Sequence, residues 1–171
     1  EQLTVAEMLK CIAVVSANDC AVALGEHLAG SEEAFVGQMN RRAEELGMAD
    51  THFVNACGLT DEGHVTSAYD IGLMSARLLR EHPWICDYTT IWQDSVRNGE
   101  SVLNNTNKLL KSYQGITGLK TGYTSTAGYC ISATAQRENL HLIAVIMGGE
   151  SSASRNADAS TLLNWGFANY A

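Results

Sequence analysis

The 171-residue sequence has little that would suit a nucleic acid or a lipid bilayer. Acidic residues outnumber basic ones by 19 to 11, the net charge is −8, and the longest basic run is the pair Arg41-Arg42. Nucleic acids and anionic lipids bind clustered Lys and Arg side chains, which displace counterions. No apolar run approaches the roughly 20 residues of a membrane-spanning helix. We therefore predict no nucleic-acid partner and no membrane span within this sequence.

Closely spaced metal ligands are also lacking. The five cysteines include no Cys-x-x-Cys pair, and the five histidines include no His-x-x-x-His pair. Zinc sites usually show such tight ligand spacing. We predict no metal site and no cofactor, and we expect most of the cysteines to be small, buried apolar residues. Apolar residues make up 46% of the chain, which is enough for one domain with a substantial core.

Hydrophobic periodicity predicts a mostly helical lobe over residues 1–115. Thr4-Val-Ala-Glu7 has the form of a capping box at the start of a helix. The helical pattern breaks at residues 16–18 and then resumes, which predicts two helices joined by a tight bend. Ser31 is suited to cap a third helix, whereas residues 48–65 lack a period and are predicted to form a loop.

Extended patterns dominate residues 116–171. Three strands are predicted at 116–123, 129–135 and 140–147, and a turn of hairpin length joins the last two. A final helix follows, and five of its residues are predicted to lie along one side: Ala159, Leu162, Leu163, Gly166 and Tyr170. The predicted fold class is α/β, of the α+β type: an antiparallel sheet flanked by helices, with a mostly helical lobe, in one domain over residues 1–171.

Two short patterns combine residue types that acyl-transfer chemistry uses. Ser16-Ala17-Asn18 places a hydroxyl and an amide at the predicted bend, and Lys120-Thr121-Gly122 lies near the end of a predicted strand. A Ser-x-Asn pattern occurs by chance in roughly half of chains this long, whereas Lys-Thr-Gly is expected in only about 4%. Taken separately, they are ordinary turn residues and a solvated lysine. Their order and placement make them candidates for a shared site.

These are two of the three motifs of the penicillin-recognising serine enzymes. The sequence resembles the low-molecular-mass D-alanyl-D-alanine carboxypeptidases over nearly its whole length. The resemblance is carried by residues 15–21, 40–53, 58–70, 103–110, 118–129, 148–149, 155 and 165–167. It implies a fold like that of the DD-peptidases and β-lactamases, with the first strands missing from this chain.

The resemblance also implies catalytic roles in cleaving a D-alanyl-D-alanine bond through an acyl-serine. Ser16 would relay a proton toward the leaving nitrogen, because a hydroxyl can donate and accept at once. Asn18 would hold the substrate amide and the active-site lysine. Lys120 would orient Ser16 and favour a substrate with a free C-terminal carboxylate.

Four further residues are implied to bind substrate. Thr121 would hydrogen-bond the carboxylate, and Gly122 would let the substrate lie along the strand. The N–H of Tyr123, where many relatives carry histidine, would donate to the oxyanion, and Arg155 would bind the carboxylate. The implied partners are peptidoglycan stem peptides ending in D-Ala-D-Ala, with β-lactams as inhibitors. The implied location is extracytoplasmic, in the periplasm or on the cell-wall face of the membrane.

The third motif of the family, Ser-x-x-Lys, does not occur: no serine has a lysine three residues later. We expect the chain to begin after this motif, so that alone it lacks the nucleophile and would neither acylate nor hydrolyse. The first strands of the sheet would be missing too, which would leave the strand at 140–147 with an unpaired edge. We expect this edge to be bare, or covered by a complementing N-terminal segment or a swapped dimer.

Two other functions compete with this interpretation. A non-catalytic module that binds peptidoglycan peptides would need no nucleophile. A serine β-lactamase would carry a Glu-x-x-Leu-Asn loop, which residues 100–104 match literally. However, this segment lies only 20 residues before Lys120, too close for that loop, and we interpret the match as coincidence.

Overall fold

The computed structural model describes residues 2–170, with helices in the first part and a three-stranded sheet in the second. The first part contains α1 (Val5–Val15), α2 (Asn18–Ala29), α3 (Glu32–Leu46), α4 (Ala68–Glu81), α5 (Cys86–Thr89), β1 (Gln93–Val96), β2 (Ser101–Asn104) and α6 (Leu109–Ser112). The second part contains β3 (Ile116–Thr124), β4 (Gly128–Arg137), β5 (Leu140–Gly149) and α7 (Ser152–Tyr170).

Local side-chain caps determine where the first helices begin and end. Thr4 and Glu7 form the predicted reciprocal capping box of α1. The Ser31 hydroxyl accepts the N–H of Ala34 and so caps α3, as predicted. Gly47 ends α3 with φ at 76°, a left-handed conformation that glycine adopts without steric cost. The predicted loop over residues 48–65 is confirmed as irregular chain.

The main sheet is antiparallel, in the order β3-β4-β5, and its three strands confirm the predicted ones. The register places Lys120 of β3 opposite Ser132 of β4, which in turn lies opposite Val145 of β5. Helix α7 packs against β4 and β5, while α4 packs against β5. Within residues 2–170, β5 pairs only with β4, so its outer edge is bare. The fold class is confirmed.

The largest core cluster lies between α7 and the sheet and includes Ile131, Leu163 and Phe167. Two of the five residues predicted to lie along one side of α7, Leu162 and Tyr170, are 49% and 65% exposed. The buried residues of α7 recur at intervals of three or four and are Arg155, Ala159, Leu163, Gly166 and Phe167. Leu162 lies at the edge of this face, because a helix turns about 100° per residue, and Tyr170 is the last residue of α7.

Two properties of the described residues bear on the sequence predictions. No helix within residues 2–170 is long and apolar enough to cross a membrane. In the same part of the chain, no cluster of three His, Cys, Asp or Glu side chains could hold a metal ion. Of the five free cysteines, only Cys11 and Cys20 are fully buried, so the expectation that most of them are buried was too broad.

Candidate active site

Ser16 occupies the bend between α1 and α2. Its backbone has φ 60° and ψ 43°, and its N–H bonds to the carbonyl of Ile12 as the C-terminal cap of α1. Residues other than glycine rarely adopt this left-handed conformation, which costs roughly 1–2 kcal/mol. The bend leaves the Ser16 side chain exposed beyond the end of the helix. Strained residues of this kind cluster at functional sites.

Lys120 reaches across from β3 to this bend. Its ammonium donates one hydrogen bond to Ser16 Oγ at 2.9 Å and another to its neighbour's carbonyl, Thr121 O, at 2.6 Å. The two residues are separated by 104 positions in the sequence. The structure therefore brings together the hydroxyl of the first motif and the cation of the second, and the space between them is the candidate cleft.

The electrostatic setting of Lys120 suits an anionic ligand. Burial, together with the smaller effect of the positive charge of Arg155, lowers the pKa of its ammonium from 10.5 to about 8. None of the salt bridges among residues 2–170 involves Lys120. A partly buried cation without a carboxylate partner is unfavourable unless an anion joins it. The cleft thus favours a ligand that carries an anionic group.

Thr121, the next residue of β3, also makes a side-chain hydrogen bond. Its side chain is only 7% exposed, and its Oγ1 lies 2.6 Å from Oγ1 of Thr106. The N–H of Thr106 in turn donates to the carbonyl of Val14, two residues before Ser16. The sequence prediction missed Thr106 as a site residue, although residues 103–110 were among the segments that carry the family resemblance.

Gly122 and Tyr123 continue β3 beyond the cleft. A Cβ added at Gly122 would meet only the Cβ of Cys130, at 4.0 Å, which is ordinary van der Waals contact. The fold itself would therefore accept a larger residue at this position. Tyr123 is 59% exposed and stacks on Tyr129 with ring centroids 4.3 Å apart.

Arg155 and Asn18 are less directly connected to the cleft. Arg155, in the first turn of α7, is only 3% exposed. It makes four hydrogen bonds: one to the carbonyl of Cys130, one to Ser152 Oγ and two to Asn156 Oδ1. A guanidinium has five N–H donors, so one remains, on Nη1. Asn18 begins α2 with an exposed side chain, and no hydrogen bond joins it to β3 among the described residues.

An apolar groove of about 720 Å³ adjoins the cleft between the loop at residues 58–66, α4 and the sheet. Lys120 lines it as well as the cleft. Four of its lining side chains are large, hydrophobic and 39–59% exposed: Leu59, Val65, Tyr123 and Met147. Exposed apolar patches of this kind are typical of surfaces that another element covers.

Curated proteins and a family model match nearly the whole chain. Residues 1–151 match the family model described as D-alanyl-D-alanine carboxypeptidase. D-alanyl-D-alanine carboxypeptidase DacF of Bacillus subtilis is 44% identical over 173 residues, and DacA of Escherichia coli is 36% identical over 168 residues. These matches cover 99% and 97% of this chain but 44% and 41% of the two relatives. The chain therefore spans less than half the length of these relatives.

Solved structures agree with this assignment. Penicillin binding protein 5 from Haemophilus influenzae matches with a TM-score of 0.93 and 34% identity over 98% of this chain and 49% of that one. Penicillin-Binding Protein D2 from Listeria monocytogenes, in its cefotaxime-bound form, matches with a TM-score of 0.89 and 36% identity over 96% of this chain and 67% of that one. Fold, motifs and sequence identity lead to the same assignment, and the chain belongs to the D-alanyl-D-alanine carboxypeptidase family.

Proposed function

We propose that this chain is part of a serine-type D-Ala-D-Ala carboxypeptidase that removes the terminal D-alanine from peptidoglycan stem peptides and that binds penicillin. The observation that carries the proposal is the 2.9 Å hydrogen bond from Lys120 Nζ to Ser16 Oγ, made by a cation that has no carboxylate partner among residues 2–170. A D-alanine terminus supplies the missing anion. Family membership supports the same chemistry, and the solved relative from Listeria is described in complex with cefotaxime.

The proposed reaction divides the work between the two sides of the cleft. Lys120 and Thr121 hold the substrate carboxylate, so that the bond to be broken lies beside Ser16. The Ser16 hydroxyl accepts the proton that the attacking nucleophile loses and passes its own to the departing amine of D-alanine. Asn18 holds the amide of the penultimate residue. Charge-assisted hydrogen bonds of the kind that Lys120 offers are about twice as strong as neutral ones.

The remaining roles concern the oxyanion, the bound peptide and the substrate carboxylate. The N–H of Tyr123 donates to the oxyanion of the tetrahedral intermediate. Gly122 leaves open strand surface along which the peptide lies as an added strand. Arg155 supports the carboxylate through its remaining Nη1 donor and through its positive charge. The nucleophile of the acyl-enzyme is supplied by a Ser-x-x-Lys motif, which this sequence does not contain.

Release of D-alanine tests the proposal. The full-length product of the gene that encodes this chain is incubated with diacetyl-L-lysyl-D-alanyl-D-alanine, and free D-alanine is measured with and without penicillin. Release that penicillin abolishes is the expected result. Tight binding of the tripeptide without release would contradict the carboxypeptidase and favour the non-catalytic peptide-binding module. That second function is supported by one observation, the absence of Ser-x-x-Lys.

We further propose that a complementing N-terminal segment carrying Ser-x-x-Lys covers the apolar groove and the outer edge of β5. The unpaired edge over Leu140–Gly149 and the exposed apolar side chains of the groove support this. A peptide that carries a Ser-x-x-Lys motif, taken from the part of DacF that this chain does not match, is expected to bind this chain and to displace a hydrophobic dye. A stable dimer in analytical ultracentrifugation, unaffected by the peptide, would instead indicate a swapped dimer.

The proposed location follows from the substrate. Peptidoglycan lies outside the cytoplasmic membrane, so the site is proposed to be extracytoplasmic. A fluorescent penicillin that does not cross the membrane is expected to label the full-length product in intact cells. Labelling that occurs only after the cells are lysed would contradict this location.

Activity is expected to fall as the pH rises through about 8, because the pKa of Lys120 is lowered to that value. A lysine is cationic below its pKa and neutral above it, so the attraction for the substrate carboxylate is lost on the alkaline side. The measurement is kcat/KM for D-alanine release as a function of pH. Lys120→Arg stays charged throughout and should lack this alkaline limb. A flat wild-type profile from about pH 7 to about pH 9.5 would contradict the assignment.

Substitutions at Ser16 should separate stability from activity. Its φ of 60° suits glycine, so Ser16→Gly is expected to be more stable than Ser16→Ala by about 1 kcal/mol in urea unfolding. Both variants lose the hydroxyl, and both should lose about 100-fold in kcat, the usual contribution of a proton-transfer group. If the glycine variant is no more stable than the alanine variant, the bend is not strained. If either variant keeps full activity, the Ser16 hydroxyl does not relay a proton in the reaction.

Gly122→Ala should reduce activity without unfolding the protein. The added methyl meets only the Cβ of Cys130 at 4.0 Å, so the free energy of unfolding should change by less than about 1 kcal/mol. The methyl would occupy the surface along which the peptide lies, and kcat/KM should fall. Gly118→Ala is the contrasting variant, since its Cβ would lie 2.5 Å from Thr89 Oγ1 and should destabilise the fold. An active, stable Gly122→Ala enzyme would remove Gly122 from the site.

A further inference from the structure

Thr106 connects the two sides of the candidate cleft. Its backbone N–H donates to the carbonyl of Val14 at 3.1 Å, at the end of the helix that leads to Ser16. Its side-chain hydroxyl lies 2.6 Å from the hydroxyl of Thr121 on β3. One residue thus touches both the helical side and the strand side, and none of the assigned roles uses it.

The two residues that flank Thr106 fix its position. Asn105 is 7% exposed, and its side-chain amide donates to the carbonyl of Ile91 at 2.8 Å. Asn107 is 1% exposed, and its side-chain amide donates to the carbonyl of Gly118 on β3. The Oδ1 atom of Asn105 also accepts the N–H of Asn107. Thr106 itself is exposed, so a buried network on each side presents its hydroxyl to the cleft.

The number of available protons decides the direction of the bond between the two hydroxyls. Each threonine hydroxyl has one proton to donate and two lone pairs. A carboxylate accepts hydrogen bonds and cannot donate them, so Thr121 must donate its single hydroxyl proton to the substrate. It can do so only if the bond at 2.6 Å is donated by Thr106. If Thr121 donated to Thr106, the substrate would meet a lone pair instead of a proton.

We propose that Thr106 is a positioning residue that donates its hydroxyl proton to Thr121 Oγ1 and thereby directs the Thr121 proton at the substrate carboxylate. This proposal rests on the proposed function, because it needs a carboxylate-ended substrate in the cleft. It makes Thr106 a determinant of specificity for the free C-terminus. It does not make Thr106 a participant in bond breaking.

The test compares two substrates in three forms of the full-length gene product. The substrates are a benzoyl-D-alanyl thioester that ends in a carboxylate and the same thioester ending in a carboxamide. Thr106→Val keeps the branched shape and removes the hydroxyl, whereas Thr106→Ser keeps the hydroxyl. We expect Thr106→Val to lower kcat/KM for the carboxylate substrate about tenfold, because Thr121 loses the neutral hydrogen bond that orients its hydroxyl, and tenfold is the upper end of what one such bond contributes. In Thr106→Val, kcat/KM for the carboxamide substrate should change less than twofold. Thr106→Ser should discriminate between the two substrates as the wild type does.

The possible failures can be told apart. A wild-type protein that turns over neither substrate would contradict the proposed function, and it would also overturn the inference about Thr106. An active wild type whose Thr106→Val variant discriminates as well as the parent overturns only the role of Thr106. Equal losses for both substrates would show that Thr106 is a structural tie, and would also overturn it. Thermal unfolding of each variant identifies a folding defect; if Thr106→Val does not fold, Thr106→Ala, which also lacks the hydroxyl, decides the same ratio.

Discussion

Lys120→Met in the full-length gene product is expected to lower the rate of acylation by penicillin by about 100- to 1000-fold, the range seen when one preorganised donor is removed from an active site. Methionine preserves much of the length of the side chain and removes the ammonium. The Ser16 hydroxyl then loses its 2.9 Å donor, and the cleft loses the cation that the substrate carboxylate needs. The measurement is the second-order rate constant for labelling by a fluorescent penicillin.

A lysine outside the cleft provides the control for Lys120→Met. Lys111 has its ammonium 4.1 Å above the ring of Trp92, so Lys111→Met makes the same chemical change away from Ser16. This control should acylate within about twofold of wild type, as surface changes usually leave function intact. If both variants acylate at similar rates, Lys120 does not serve the reaction.

Asn107→Ala is expected to lower the free energy of unfolding by about 3 kcal/mol, because buried hydrogen-bonding groups lose their partners. Asn107 is 1% exposed, its Oδ1 accepts the N–H of Leu109, and its amide donates to the carbonyl of Gly118. Both groups would be left unsatisfied beside a cavity. Thr106 would lose one of its flanking anchors, so activity should fall as well. Urea unfolding followed by circular dichroism gives the change in stability.

Asn104 lies in the same segment and serves as the matched control. It is exposed, and its side chain accepts a hydrogen bond from Gln93 at 2.9 Å on the surface of the β1–β2 hairpin. Asn104→Ala should cost less than about 1 kcal/mol, as for other surface substitutions. A cost at Asn107 no larger than at Asn104 would show that the buried network does not hold this segment in place.

The bend at Ser16 and the strand at Lys120 could be placed from sequence because their signals are local. Capping residues and hydrophobic spacing located α1, α2 and α3, and three extended patterns located the strands of the main sheet. The contact between Ser16 and Lys120 was implied only by the family resemblance. No local signal joins residues 104 positions apart, and only the folded chain shows the hydrogen bond.

Other features depend on tertiary packing that no pattern in this sequence encodes. Arg155 would alone have been interpreted as a surface residue, yet it is 3% exposed, and the carbonyl of Cys130 and two side chains accept hydrogen bonds from four of its five donors. Leu162 is hydrophobic yet exposed, since the face of α7 that meets the sheet lies one position away. Thr106 could be identified only from the folded chain, because its hydrogen bonds join Val14 of α1 and Thr121 of β3.

The central claim is that this chain supplies the proton relay and the carboxylate anchor of a penicillin-reactive site, while another segment supplies the nucleophile. Reaction with a fluorescent penicillin, followed by mass spectrometry of the labelled peptide, tests it most directly. We expect the full-length gene product to be labelled on the serine of a Ser-x-x-Lys motif, and the 171-residue chain alone to remain unlabelled. A covalent adduct on any serine of this chain, or a full-length product that takes up no label, would contradict it.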